Sequence, residues 1–209
     1  MLDNEPFAAM EMMMSFETST GSALASQLWP DRSARILRFA ALTLLGSAFL
    51  AIAAKIQVPF WPVPMTMATF AVFMIGAAYG SRLAAATVLA YIAEGVLGLP
   101  VFSGPVGGPG YMVGPTAGYI WGYVVAAYIV GLAADRGFGR SIVPLASAMI
   151  VADIVLFAMG IAWLGASITG FNLPLLEKGL FPFVLGDLLK IALAAVAIPV
   201  VWTIVPKRG

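Results

Sequence analysis

The chain contains a long apolar stretch, residues 181–205, which read FPFVLGDLLKIALAAVAIPVVWTIV. A helix needs about 20 apolar residues to cross the hydrocarbon core of a bilayer, and this stretch is longer than that. Only two of its side chains are charged, Asp187 and Lys190. The stretch therefore predicts a transmembrane helix that carries an acid and a base inside the membrane.

The composition of the whole chain also indicates a membrane protein. Of its 209 residues, 61% are hydrophobic and 10% are charged, whereas soluble domains average roughly 45–50% and 25%. The chain has no Cys and no His, which excludes disulfides, Cys/His metal sites and His general bases. Its formal charge of +1 gives no basic field for nucleic acid. We therefore expect neither a soluble enzyme nor a nucleic-acid-binding protein.

Other apolar stretches precede the last one and have similar lengths. We predict an all-α membrane protein with six transmembrane helices, over residues 38–54, 63–79, 83–99, 111–134, 142–166 and 181–205. The second and third spans are a little short, so that flanking side chains would snorkel or one span would be partly re-entrant. None of the stretches alternates apolar and polar residues as the strands of a membrane barrel do.

The distribution of cations predicts how the helices are oriented. With the N-terminus inside, only Lys55 and Lys178 fall on the outer side, while the inner side collects Arg32, Arg35, Arg38, Arg82, Arg136, Arg140, Lys207 and Arg208. Because Lys and Arg near short loops stay in the cytoplasm, we expect both termini to be cytoplasmic and the chain to lie in the cytoplasmic membrane. Residues 1–30 lack Lys and Arg and thus the positive region of a signal peptide. We expect a mobile cytoplasmic tail there and a six-helix domain over residues 31–209.

Four ionisable residues lie within the predicted spans: Glu94, Asp153, Asp187 and Lys190. Such groups are costly in lipid and normally face a cavity or a partner. Asp187 is about 9 Å from the outer end of its span at 1.5 Å per residue, Lys190 follows on the same helix face, and Glu94 is near the outer end of the third span. These three predict a site that opens outward. Asp187 and Lys190 could instead form a self-neutralising pair, and for Asp153 we expect a structural hydrogen bond across helices.

Glycines and other small residues form two further patterns. Residues 98–110 contain five Gly, three Pro and no charge, so this loop is not helical and either closes over a ligand or simply connects two spans. Small residues also recur every four positions in two ladders, which are Gly114, Gly118, Gly122 and Ala126, and Thr43, Ser47 and Ala51. Both ladders predict close packing of a partner helix, and the one in the first span could face a different membrane protein.

Four sequence blocks occur together in a fixed order and cover most of residues 36–205. They read PVPMT at 62–66, YIAEGVLGLPVFSG at 91–104 followed by Gly107 and Gly108, GPTAGY at 114–119, and GDLLK at 186–190. Together they resemble the BioY family, the biotin-specific substrate-binding (S) components of energy-coupling factor (ECF) transporters. Two positions depart from the usual pattern, since Ala68 stands in place of Gln and Ala117 in place of a second Gly. We therefore assign no ligand contact to the second span at residue 68.

The resemblance implies a six-helix membrane protein that captures biotin from outside the cell. It also implies two kinds of partner, a transmembrane coupling subunit and ATP-hydrolysing subunits. The chain itself has no Walker A motif. We accordingly expect no cofactor in this chain and expect ATP to be used only by its partners.

The resemblance also carries candidate site residues onto this chain. Asp187 and Lys190 are the expected polar anchors, and the expected lining consists of Tyr91, Tyr119 and the backbone of Gly107 and Gly108. Asp187 would accept from the ureido N–H groups of biotin, and Lys190 would donate to the ureido carbonyl or meet the carboxylate. Glu94 is added to this set from its depth and charge alone.

Three other functions fit parts of the sequence. An S component for a different vitamin would share the same architecture. A membrane-embedded enzyme could use Asp153 and Asp187 as a pair of carboxylates for proton chemistry. A self-sufficient biotin carrier would work without ATPases, although the chain lacks an obvious internal repeat of the kind that many secondary transporters have.

Overall fold

The computed structural model describes residues 35–105, 107–169 and 173–204. In this part of the chain seven α-helices follow one another: α1 Arg35–Lys55, α2 Ala68–Tyr79, α3 Ser81–Val96, α4 Ala117–Asp135, α5 Ile142–Leu164, α6 Leu173–Gly179 and α7 Phe181–Ile204. Two short strands, β1 Gln57–Val58 and β2 Met65–Thr66, pair antiparallel between α1 and α2. The predicted tail, residues 1–30, and the predicted inner cations Arg32, Lys207 and Arg208 lie outside the described residues.

Six of these helices form a membrane bundle, and α6 is a short helix of seven residues before α7. Four spans are long and apolar enough to cross a membrane, namely Leu37–Lys55, Ala117–Asp135, Ile142–Ser167 and Leu175–Thr203. The remaining two, α2 with 12 residues and α3 with 16, reach only about 18 and 24 Å at 1.5 Å per residue. The prediction of an all-α, multi-pass membrane protein with six bundle helices is confirmed.

The largest errors in the predicted span boundaries are at two helix starts, and both trace to proline and glycine. α2 begins at Ala68 rather than at residue 63, because the Pro-rich segment before it turns back to pair Val58 with Met65. α4 begins at Ala117 rather than at residue 111, because a 3₁₀ turn, Pro109–Val113, and the Gly114-Pro115 break precede it. In both cases the shortened helix leaves irregular backbone at the same end of the bundle as Lys55.

The ladder of small residues in the fourth span packs closely against α5. A Cβ atom at Gly118 would lie 2.3 Å from the Cβ of Trp163, and one at Gly122 would lie 3.1 Å from the Cα of Leu156. Ala126 is fully buried one turn further along. Glycine is thus required at Gly118 so that the two helices can approach each other.

The ladder in the first span lies partly within the bundle. Ser47 is buried, and its hydroxyl donates a hydrogen bond to the Glu94 carboxylate on α3. Thr43 and Ala51 are half-buried on the same helix. The structure therefore places the middle of this ladder against α3, and no partner chain is needed to cover Ser47.

Densely packed apolar side chains fill the middle of the bundle, on the side of Thr69 and Lys190 that lies away from Lys55. Phe73 of α2, Val130 of α4 and Ala194 of α7 are fully buried there. A Cβ atom at Gly76 of α2 would lie 2.9 Å from the Cβ of Val130. We call this region the floor, because the cavity described next lies on its other side.

Candidate ligand-binding site

A cavity lies between the ends of the bundle helices, at the end that contains Lys55. The space between its lining residues is about 550 Å³ when the open mouth is counted, and the centre of a water-sized sphere can occupy about 40 Å³ of it. Its lining comes from every bundle helix, from the segment before α2 and from the loop between α3 and α4. Its walls are mostly apolar and aromatic, with polar groups at few positions, as is usual in sites for small organic ligands.

The polar end of the cavity is a network of three buried side chains. The Lys190 ammonium donates to Asp187 Oδ1 at 2.5 Å and to Thr69 Oγ1 at 3.1 Å, while the Thr69 hydroxyl donates to Asp187 Oδ1 at 2.9 Å. Asp187 is 1% and Lys190 5% exposed. The acid and base are three residues apart on α7 and so share a helix face. All three side chains line the cavity and can offer both donors and an acceptor to a ligand.

Aromatic rings form two sides of the cavity. On one side Phe102 stacks on Tyr111, with ring centroids 4.6 Å apart, and meets Tyr91 edge to face at 5.4 Å. On the other side Phe157 packs against Tyr119 and Phe183 at 6.0 and 5.9 Å. These rings form rigid, mostly apolar walls, which suit a compact, largely apolar ring system.

Lys55, at the end of α1, and Gln57, in β1, hold the loop that supplies Phe102. Lys55 Nζ donates to the carbonyl oxygens of Phe102 and Gly104, each at 2.7 Å, and Gln57 Nε2 donates to the Ser103 carbonyl at 3.0 Å. The Tyr91 hydroxyl donates to the Val101 carbonyl at 3.3 Å. The loop therefore covers the cavity with its backbone tied to α1 and α3.

The sequence-predicted site residues divide into two groups. Asp187, Lys190, Tyr91 and Tyr119 line the cavity, and the Tyr119 hydroxyl also donates to the Gly179 carbonyl at 2.8 Å. Glu94, Gly107 and Gly108 lie outside this lining, but Gly107 lines an adjoining pocket that shares Tyr111 and Thr116 with the cavity.

Each of the residues outside the lining has a local role. The Glu94 carboxylate accepts from Ser47. Gly108 donates its backbone N–H to the Gly95 carbonyl at 2.6 Å, and a Cβ atom at Gly107 would lie 2.4 Å from the Leu99 carbonyl oxygen. The two glycines thus shape the backbone of the loop that covers the cavity.

Asp153 does not line the cavity, although it lies on α5 only four residues before Phe157 and is close enough to Asp187 and Lys190 for their charges to interact. It is absent from the lining, and its buried Oδ1 has no hydrogen-bond partner among the described residues. The hydrogen bond across helices that the sequence led us to expect for Asp153 is thus not seen at this oxygen. Asp187 lines the cavity and Asp153 does not, so the lining contains one of the two carboxylates that the enzyme hypothesis needs.

Sequence reasoning missed several lining residues. Ala68 lines the cavity although no contact was assigned to it, and its neighbour Thr69 bonds both charged side chains. Tyr111 and Tyr123 were not singled out either, yet both line the cavity. The position of Thr69 at the start of a helix that follows a Pro-rich entry is a signal that could have pointed to it, because polar side chains at the mouth of a short span tend to be functional.

Comparisons with known proteins agree with this architecture. The model of the BioY family matches residues 20–207. A protein of Pyrococcus horikoshii named "Probable biotin transporter BioY" is 36% identical over 74% of this chain and 90% of its own length. The "Biotin transporter BioY" of Rhizobium etli is 32% identical over 80% of this chain and 96% of its own length.

A solved structure has the same fold. It is the crystal structure of "the S-component for biotin from an ECF-type ABC transporter", with a TM-score of 0.73 and 22% sequence identity. The match covers 83% of this chain and 95% of that one.

Proposed function

This chain belongs to the BioY family, and we propose that it is the substrate-binding S component of an ECF-type transporter, which captures biotin for uptake. The observation that carries the proposal is the buried network of Thr69, Asp187 and Lys190 at the end of an aromatic-walled cavity. A charged pair is costly inside a membrane protein. A polar ligand that completes its hydrogen bonds gives a functional reason for keeping it there.

The chemistry of biotin matches the two kinds of surface in the cavity. Its ureido group has two N–H donors and one carbonyl acceptor, which complement the Asp187 carboxylate and the Lys190 ammonium. The fused rings and the aliphatic chain are apolar and fit between Phe102 and Phe157. Because Asp187 and Lys190 together carry no net charge, they favour the neutral ureido group over the biotin carboxylate, which Asp187 would repel. We propose that the ureido group binds at this end.

The cavity faces the outside in this proposal. The described cations Arg82, Arg136 and Arg140 are placed at the ends of α3 and α4 that lie away from the cavity, which supports a cytoplasmic position for that end and for both termini. The membrane is then the cytoplasmic membrane. The partners are a transmembrane coupling subunit and ATP-hydrolysing subunits, and this chain itself carries out no catalysis and needs no cofactor.

Isothermal titration of the purified chain in detergent with biotin, without ATP, tests the proposal. We expect saturable, tight binding, because a dilute vitamin can be collected only with high affinity. Asp187→Asn should abolish the binding, whereas Asp153→Asn, outside the cavity lining, should leave it largely intact. Each variant should elute as a single species from a size-exclusion column, which shows that a loss of binding is not a loss of folding.

Competition with other ligands separates the alternatives. Displacement of bound biotin by another vitamin at lower concentration would assign this chain to that vitamin instead. Equal loss of function in Asp153→Asn and Asp187→Asn would favour proton chemistry at two carboxylates. Biotin methyl ester should bind nearly as well as biotin if the ureido group meets Lys190, and much more weakly if the carboxylate does.

A further inference from the structure

Lys55, the last residue of α1, does more than add an outer positive charge. Its ammonium donates to two carbonyl oxygens, those of Phe102 and Gly104, both at 2.7 Å. Gln57 binds the carbonyl between them, at Ser103. Three successive carbonyl groups of one loop are thus held by side chains that come from 45 or more positions earlier in the chain.

The segment held in this way, residues 101–105, covers the cavity. The side chain of Phe102 is buried against the backbone of α3, since a Cβ atom at Gly95 would lie 2.1 Å from its ring. Phe102 and Ser103 both line the cavity. Ala54, the neighbour of Lys55, lines it too. A ligand that enters past this segment must displace backbone that Lys55 binds.

The segment has little regular structure of its own to keep it in place. It follows Gly98, which has φ of +100°, and precedes Gly107 and Gly108, and the described part of the loop has no helix before Pro109. Backbone carbonyls that no helix or strand satisfies need other donors. An ammonium group that donates two short hydrogen bonds to such carbonyls holds the segment in place strongly, because hydrogen bonds from charged donors are stronger than those from neutral donors.

We propose that Lys55 is a positioning residue that holds segment 101–105 closed over the cavity and thereby sets the rates at which biotin enters and leaves. This inference rests on the proposed function, since it concerns the same cavity. The bonds of Lys55 are to backbone carbonyl groups and require no group of the ligand. They therefore favour the closed loop in both the free and the loaded protein.

Hydrogen bonds that hold a loop closed with and without ligand have a distinctive effect on binding kinetics. Removing them raises the open fraction of the free and the loaded protein by a similar factor, so the association and dissociation rate constants of biotin both rise. Their ratio, the dissociation constant, changes little. Loss of a direct ligand contact would instead raise the dissociation rate constant alone.

The test measures both rate constants with radiolabelled biotin and the purified full-length chain in detergent. Lys55→Met keeps the length of the side chain and removes its donors, and we expect both rate constants to rise by about tenfold or more. Lys55→Arg keeps donors and should stay closer to the unsubstituted chain. Lys178→Met is the matched control, because Lys178 is a cation near the same end that lies over the Trp61 ring, 5.3 Å from its centroid. It should change neither rate.

Gln57→Leu extends the test to an exposed position where folding is not at risk. It removes the bond to Ser103 and should raise both rate constants by a smaller factor. Unchanged rates in Lys55→Met and Gln57→Leu, or a rise in dissociation alone, would overturn the inference. In either case the unsubstituted chain would still bind biotin, whereas absence of biotin binding in that chain would refute the proposed function itself.

Discussion

Replacing Lys190 by Met tests whether the charges beside the cavity are a mutually dependent pair. The Asp187 carboxylate is 1% exposed and accepts from Lys190 at 2.5 Å. Removing one partner of a buried ion pair leaves an uncompensated charge, which costs about 3–5 kcal/mol. The bond from Thr69 to Asp187 remains, so we expect the lower part of that range. For a chain of this size, such a loss lowers the melting temperature by roughly 6–12 °C.

The double variant Asp187→Asn, Lys190→Met separates stability from binding. It removes both charges while keeping similar side-chain volumes, and neutral replacements of a buried pair are often no less stable than the pair. We expect its melting temperature to lie close to that of the unsubstituted chain. We expect neither the single nor the double variant to bind biotin.

Thermal unfolding in detergent, followed by tryptophan fluorescence, and biotin calorimetry on the same samples measure the two effects. The reasoning fails if Lys190→Met unfolds at the same temperature as the unsubstituted chain. It fails equally if the double variant is as unstable as the single one, because the cost would then not arise from an unpaired charge.

Three further predictions use smaller changes. Thr69→Val removes the hydroxyl that bonds both charged side chains. It should weaken biotin binding about 10- to 100-fold, for a loss of about 1.5–3 kcal/mol. An unchanged affinity in calorimetry would show that Thr69 does not support ligand binding. Gly118→Ala brings a Cβ to 2.3 Å from Trp163, so the melting temperature should fall as α4 and α5 separate, and an unchanged value would refute the tight contact. Gly107→Ala brings a Cβ to 2.4 Å from a backbone carbonyl oxygen and should weaken biotin binding by displacing the loop. An affinity equal to that of the unsubstituted chain would contradict this prediction. Gly110→Ala, whose Cβ would meet nothing within 4 Å, is the control for both glycines and should behave as the unsubstituted chain.

Much of the fold could be predicted from the sequence because hydrophobicity and charge act locally. Apolar stretches mark the bundle helices, since only a helix satisfies its own backbone in lipid. The three-residue spacing of Asp187 and Lys190 puts them on one face of a helix before any tertiary structure is known. The starts of α2 and α4 were harder to predict, because apolar residues before them continue the hydropathy signal through turns that Pro and Gly impose.

The remaining parts of the site depend on contacts between distant residues. Thr69 and Asp187 are 118 positions apart, and Ser47 and Glu94 are 47 apart. No local pattern indicates that Glu94 faces Ser47 rather than the cavity, or that Lys55 reaches the carbonyl groups of a later loop. Such pairings follow from which helices become neighbours, and composition and spacing do not determine that arrangement.

The floor formed by Phe73, Val130 and Ala194 has a consequence for energy conservation in the cell. Its three side chains are apolar, fully buried and absent from the cavity lining, so the floor itself offers no polar group between the cavity and the opposite end of the bundle. Protons and hydrated ions need water or polar groups to cross a membrane protein. Vesicles that contain this chain alone should consequently hold a pH gradient as long as empty vesicles do, with biotin present or absent, so a cell could keep many copies in its membrane without dissipating its proton-motive force.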